Sequence, residues 1–216
     1  LVVIAALLLT FIRLREERIR LRDRLEKDRV RFQLEALRSQ VNPHFLFNSF
    51  NTLIELIEEE PRKAVGHVEQ LSTFFRNILQ VRERELIPVE EELRLLATYF
   101  DLEKRRFGDR IALLVHVDEH ARGHRVVPLT LQLLVENALK HNVATATEPL
   151  VVSVEATAHE LIVRNPLRPR DVGHRSTGYG LESIRQRYTA LTDRPVQVLA
   201  GSDTFEVRIP LIDPEP

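Results

Sequence analysis

An α+β fold is predicted for this chain: a helical first half, then a sandwich of helices on a sheet. Three features carry that expectation. Residues 13–40 contain neither proline nor glycine, and helical apolar spacing returns in each segment up to residue 107. Beyond Gly108 the period shortens to that of strands, in IALLVHV (111–117), VVSVEA (151–156), LIVR (161–164), VQVLA (196–200) and FEVRI (205–209). Between the strands lie two helical patterns, about 129–142 and 181–191, which suit helices covering one face of a sheet.

Composition narrows the function classes. A length of 216 residues with 44% hydrophobic content supplies a real core. The 31 basic and 32 acidic side chains nearly cancel, so direct nucleic-acid binding is not expected. Cysteine is absent, which excludes disulfides, thiolate metal sites and a cysteine nucleophile. Methionine is absent even at position 1, so the sequence is expected to be part of a longer polypeptide.

The elements follow in order. LVVIAALLLTFI, residues 1–12, is almost wholly apolar but shorter than the ~20 residues of a membrane span, and reads as the end of one. Arg13, Arg15, Arg18, Arg20, Arg22 and Arg24 follow at once, the mark of a cytoplasmic flank. The alternative is a buried N-terminal helix. The expected location is therefore the inner (cytoplasmic) membrane, with residues from about 13 onward in the cytoplasm.

Residues 13–40 read as a juxtamembrane signalling helix, with Leu14, Leu21, Leu25, Phe32, Leu34, Leu37 and Val41 on a seam that Asp28 interrupts. Residues 41–87 read as an antiparallel helical hairpin, and Pro61 stops its first helix or opens its second. In the second helix Val65, Val68, Leu71, Phe75, Ile78 and Leu79 are expected on one face. Residues 88–212 form the sandwich. They open on PVEEELRLLATYFDLEKRRF, whose first-turn glutamates suit the positive end of a helix dipole, and Gly108 closes that helix.

QVNPHFLFNSFN (40–51) places polar residues in a helix. At about 100° per residue, Asn48, Asn51, Glu55 and Glu58 fall within about 40° of His44. Leu46, Phe50, Leu53 and Ile57 point the other way, with Phe47 and Ile54 widening the apolar face. Pro43 removes one backbone hydrogen bond, so the helix is expected to kink where His44 emerges. An exposed histidine flanked by amides suits a nucleophile whose tautomer a neighbour sets, and Asn48 suits the orienting role. Taken in isolation, the spacing suits an ordinary surface histidine as well.

PLTLQLLVENALKHN (128–142) opens with proline and is apolar along Leu131, Leu134, Val135, Ala138 and Leu139. Asn137 shares a face with Lys140 and His141, so a hard oxygen and two basic groups converge, as a magnesium-bound phosphate requires, although a capped helix end accounts for the same pattern taken alone. Glu136, beside them, can polarise water or hold a lysine. Downstream, Gly178, Tyr179 and Gly180 stand at a helix start, where backbone amides approach an anion. No Lys-Ser or Lys-Thr follows, so this is not a Walker A loop.

Taken in this order, QVNPHFLFNSFNTL, IPVEEELRLLATYFDLEKRRFGDRI, VPLTLQLLVENALKHN and GYGLESIRQRY resemble the LytS/YehU-type sensor histidine kinases, over about residues 34–210. The resemblance implies a dimeric hairpin bearing the phosphoacceptor and a GHKL-type ATP-binding domain, with ATP and Mg2+ as cofactors. It makes His44 the phosphorylated histidine and Asn137 the magnesium ligand. It places Glu136, Lys140 and His141 on the nucleotide helix, and Gly178, Gly180 and Leu181 in the glycine box. It also implies a response regulator of LytTR type as partner, a homodimer, and a membrane tether through a preceding transmembrane region. Two departures stand out. Where relatives often carry an adenine-reading Asp, this chain has Asn165. The lid, about 166–177, is short and carries Arg168, Arg170, His174 and Arg175. The missing carboxylate motivates a rival reading, a membrane-tethered dimeric scaffold without turnover. A third reading, an ATPase driving conformational work, leaves His44 without a purpose.

Overall fold

The structure is a computed structural model that describes residues 43–170 and 179–214, with Arg15. The expected membrane end, the juxtamembrane helix and the turn before Pro43 lie outside the described residues. Among the described residues no helix is long and apolar enough to cross a membrane. Two units meet at Phe50 and Asn51, and each is treated by itself.

The first unit is described only from 43 to 50, the start of α1 (Pro43–Glu59). Here Phe45 and Ser49 are buried, and the Ser49 hydroxyl donates to the Phe45 carbonyl at 2.9 Å. Phe47 is 68% exposed and Phe50 46%, so these two members of the apolar face are open within this chain.

In the second unit α1 ends at Glu59, and Pro61 opens α2 (Pro61–Arg82) across the single residue Glu60. Proline suits that first position, where its missing N–H has no intrahelical partner to lose. The buried residues of α2 are Ala64, His67, Leu71, Phe74, Ile78 and Val81, a strict alternation of three and four. This corrects the expected face: Leu71 and Ile78 belong to it, whereas Val65, Val68 and Leu79 are exposed. The helix carries two apolar stripes, and the inner one packs on α3 (Val89–Phe107), with the Phe74 and Tyr99 rings 6.0 Å apart.

A short antiparallel pair, β1 (Ile87–Pro88) with β3 (Arg125–Val126), ties the start of α3 to the chain before α4 (Thr130–His141). The main sheet contains β2 (Ile111–Val117), β4 (Leu150–Ala156), β5 (Glu160–Pro166), β6 (Gln197–Ala200) and β7 (Thr204–Pro210). Its order is β2-β4-β5-β7-β6, with β2 parallel to β4 and every other pairing antiparallel. Strand β4 alternates cleanly: Leu150, Val152, Val154 and Ala156 are buried while Val151, Ser153 and Glu155 are only half-buried. Register carries that face across the sheet through Val154 opposite Val163 and Leu161 opposite Ile209. Each such aliphatic side chain is worth about 1.5–3 kcal/mol of burial.

The other face is polar. Arg164 reaches Glu206 at 2.7 Å, and Arg208 reaches the same carboxylate at 2.6 Å. Helices α3, α4 and α5 (Tyr179–Thr189) complete the α+β sandwich expected from the sequence. Gly108 closes α3 at φ 60°, a conformation open to glycine at little cost.

Candidate functional site

The nucleotide-helix pattern folds as α4, with Leu131, Leu134, Val135, Ala138 and Leu139 all buried as expected. Its start differs from expectation. The helix begins at Thr130, two residues after Pro128, and its N-cap Leu129 takes the left-handed conformation at φ 66°. The proline therefore ends the preceding loop instead of occupying the first helical turn.

Asn137 is half-buried on the side of α4 that meets α5. A Cβ added to Gly180 would lie 3.4 Å from the Asn137 amide nitrogen and 3.3 Å from Leu133 Cδ2. Two residues that the sequence assigned 43 positions apart are thus neighbours. The first turn of α5 stands beside the Asn137 amide, and a helix start favours negative charge. Gly180 leaves that approach open, and Leu181 is half-buried in the same turn. Gly178 lies outside the described residues, as do His174 and Arg175.

Lys140 is exposed and His141 half-buried one residue on. Burial, then the Lys140 ammonium, pushes the His141 imidazole below its ordinary value, which keeps it neutral near pH 7. Glu136 faces α3: its carboxylate lies close enough to raise the Tyr99 phenol, after burial itself and Glu103. Glu103 is buried and pairs with Arg106 at 2.6 Å, and burial raises its carboxyl despite that partner.

Asn165 is buried on the inner face of β5, and its amide nitrogen donates to the Pro166 carbonyl at 2.7 Å. The base of the lid is pinned by Asn142, which sequence reasoning passed over as a helix end. Its carbonyl oxygen accepts from the Arg168 amide at 2.8 Å while its nitrogen donates to Ala138 at 2.9 Å. Arg168 and Arg170 are turned to backbone, donating to the Glu148 carbonyl at 2.9 Å and the Asn142 carbonyl at 3.2 Å. In this arrangement they brace the described base of the lid.

Sequence reasoning also missed Glu92. It is 1% exposed, and its carboxylate accepts the Leu129 amide at 2.9 Å and the Leu131 amide at 2.7 Å. The signal was present: Glu92 occupies a core position in the α3 stripe Val89, Glu92, Leu96, Tyr99, Glu103. On the opposite flank, α5 supplies the Tyr188 hydroxyl to the Val127 amide at 3.1 Å. His44 is the second residue of α1, Asn48 is half-buried one turn on, and Asn51 is exposed.

Residues 32–111 match the family described as Histidine kinase. The Sensor protein LytS of Staphylococcus saprophyticus is 34% identical in an alignment covering 79% of this chain and 32% of its own length. That of Enterococcus faecalis is 38% identical, over 61% of this chain and 23% of its own length. A solved cytoplasmic segment of histidine kinase QseC aligns at 19% identity with a TM-score of 0.43, covering 70% of this chain and 94% of that one. The resemblance to LytS-type sensor histidine kinases is borne out. The chain spans between about a fifth and a third of the length of the curated relatives it matches.

Proposed function

We propose that the chain is the kinase portion of a two-component sensor, transferring the γ-phosphoryl group of ATP to His44 and from there to an aspartate of a response regulator. The observation that carries this reading is the meeting of Asn137 with Gly180 at the N-terminus of α5. An amide oxygen and helix-start amides are what a magnesium-bound triphosphate needs, and Gly180 keeps the space beside Asn137 and Leu133 uncrowded.

The residues present fit magnesium as it is held in such sites. Among the described residues no group of three or more acidic, histidine or cysteine side chains forms a metal cage. Mg2+ that arrives with ATP does not require one, because phosphates and water supply most of its ligands. Asn137 would hold it through the amide oxygen, and the ion would neutralise charge on the phosphate oxygens. The protein's part is then positioning. The amides of α5 bind phosphate oxygens, Lys140 adds positive charge, and His141 stays neutral beside them. An unprotonated nitrogen of His44 attacks the γ-phosphorus while the bond to the bridging oxygen breaks, and ADP leaves with the electron pair. Asn48, one turn on, orients the imidazole.

Titration with ATP in magnesium and in excess chelator tests the site. Saturable binding in magnesium that weakens with chelator is expected. Absence of binding in both rejects the reading.

The partner regulator is read as LytTR-type from the family resemblance, and attachment to the inner membrane from residues 1–12 and the arginines behind them. Dimerisation rests on open apolar stripes: Phe47, Phe50, Ile54 and Ile57 on α1, and Val65, Val68 and Leu79 on α2, are all exposed within one chain. Their three-and-four spacing suits packing against the same helices of a second copy. Val68→Glu with Leu79→Glu is expected to move the chain from dimer to monomer in sedimentation, leaving the inner stripe of α2 and the melting of the sandwich largely unchanged. A double variant that stays dimeric counts against this face.

A further inference from the structure

The turn before α4 is held from outside. Leu129, the N-cap, is the one non-glycine residue with positive φ among the described residues, and its side chain contributes no cap. Leu131 is fully buried and Thr130 is 1% exposed, so the first amides of α4 have little recourse to water. Glu92 supplies the missing acceptors from α3, Oε2 to the Leu129 amide at 2.9 Å and Oε1 to the Leu131 amide at 2.7 Å. From α5, Arg187 donates to the Pro128 carbonyl at 3.2 Å, and Tyr188 accepts from Val127.

We propose that Glu92 is a positioning residue of the nucleotide site, capping α4 from α3 and so setting where Asn137 stands against Gly180. The proposal rests on the kinase reading and deepens it. A carboxylate fits the role because each oxygen takes one N–H. An amide offers one oxygen and turns a donor toward the second N–H, and an alanine offers nothing. Asn137 lies about two turns beyond the cap, so a shift at the first turn is carried along a rigid helix to the ligand. The same loop is clasped by the helix that begins with the glycine box, so α3 and α5 together locate both sides of the site.

The electrostatic setting gives the test its handle. Burial pushes the Glu92 carboxyl up to about 7, against the Leu129 and Leu131 amides and the Arg187 guanidinium, which hold it down. The groups facing it are Arg187 and Tyr188 of α5, with Arg82 of α2 close enough to Arg187 to oppose its charge. Near neutrality both forms are populated, and only the carboxylate accepts at both oxygens. An acid whose folded value is raised stabilises the fold as pH falls through about 7 toward the ordinary carboxylate range, and that stabilisation is lost as pH rises again. Weaker nucleotide binding on acidification across this window therefore does not come from Glu92 unfolding the domain.

Magnesium-ATP affinity is measured at about pH 8 and about pH 6 in the parent chain and in Glu92→Gln, with amide exchange of the α4 first turn followed in both. In the parent, affinity is expected to fall on the order of tenfold with acidification, about the worth of one charged hydrogen bond. In the variant it is expected to be low at both pH values, with faster exchange at Leu129 and Leu131 while β4 and β5 stay protected. Equal affinity and equal pH slope in parent and variant, or unchanged exchange at the two amides, overturns the proposal. If the variant does not fold, the parent decides: an affinity or an α4 first-turn exchange that ignores this pH window overturns it. A parent that binds no magnesium-ATP at either pH rejects the kinase reading and this inference with it. That outcome is recognised in the parent alone.

Discussion

Asn137→Ala is expected to lose magnesium-dependent ATP binding by about ten- to a hundredfold, the range seen when groups that orient a metal's ligands are removed. Phosphoryl transfer should fall with it. The residue is half-buried against α5, so the fold should survive, with a melting temperature within a few degrees of the parent, as for most substitutions outside a core. Asn137→Asp restores an oxygen ligand and should recover part of the binding in magnesium. Recovery by aspartate but not by leucine would separate a ligand role from simple packing against Gly180. Calorimetric titration with and without chelator reads all three variants. Parent-like affinity in Asn137→Ala would remove the residue from the site.

His44→Gln divides the proposed reaction at a different point. The variant should bind magnesium-ATP like the parent and carry no phosphoryl group, because glutamine keeps polarity and loses the nucleophilic ring nitrogen. The expected loss of labelling is complete, whereas a bystander surface histidine would leave it unchanged. Binding and labelling thus respond to Asn137 together and to His44 separately. A dimeric scaffold without turnover would show neither response.

Much of this could be read from the chain because the decisive signals are local. Strand β4 announces itself through Leu150, Val152, Val154 and Ala156, and α4 through its apolar stripe. Where two local signals compete, sequence alone stops short. Helix α2 carries one apolar stripe through Ala64, His67, Leu71, Phe74, Ile78 and Val81 and another through Val65, Val68 and Leu79. Periodicity finds both, and only packing on α3 selects which is buried within the chain. Glu92 was read as a dipole partner of its own helix, since first-turn glutamates usually are. Its real partners lie 37 and 39 residues away, a register that only tertiary structure sets. Asn142 holds the chain at Arg168, and Arg168 and Arg170 meet the Glu148 and Asn142 carbonyls, contacts that no local pattern announces. The resemblance assigned Asn137 and Gly180 to one nucleotide site, and the structure adds their nearness across α4 and α5.

The central claim is that His44 takes the γ-phosphoryl group of ATP. Its most direct test is to incubate the chain with magnesium and γ-labelled ATP, divide the product between acid and alkali, and map the modified residue by mass spectrometry. The account predicts label that is lost in acid, retained in alkali and located at His44. Label on a serine, threonine or tyrosine, label on another histidine, or no label in a chain that binds magnesium-ATP would contradict it.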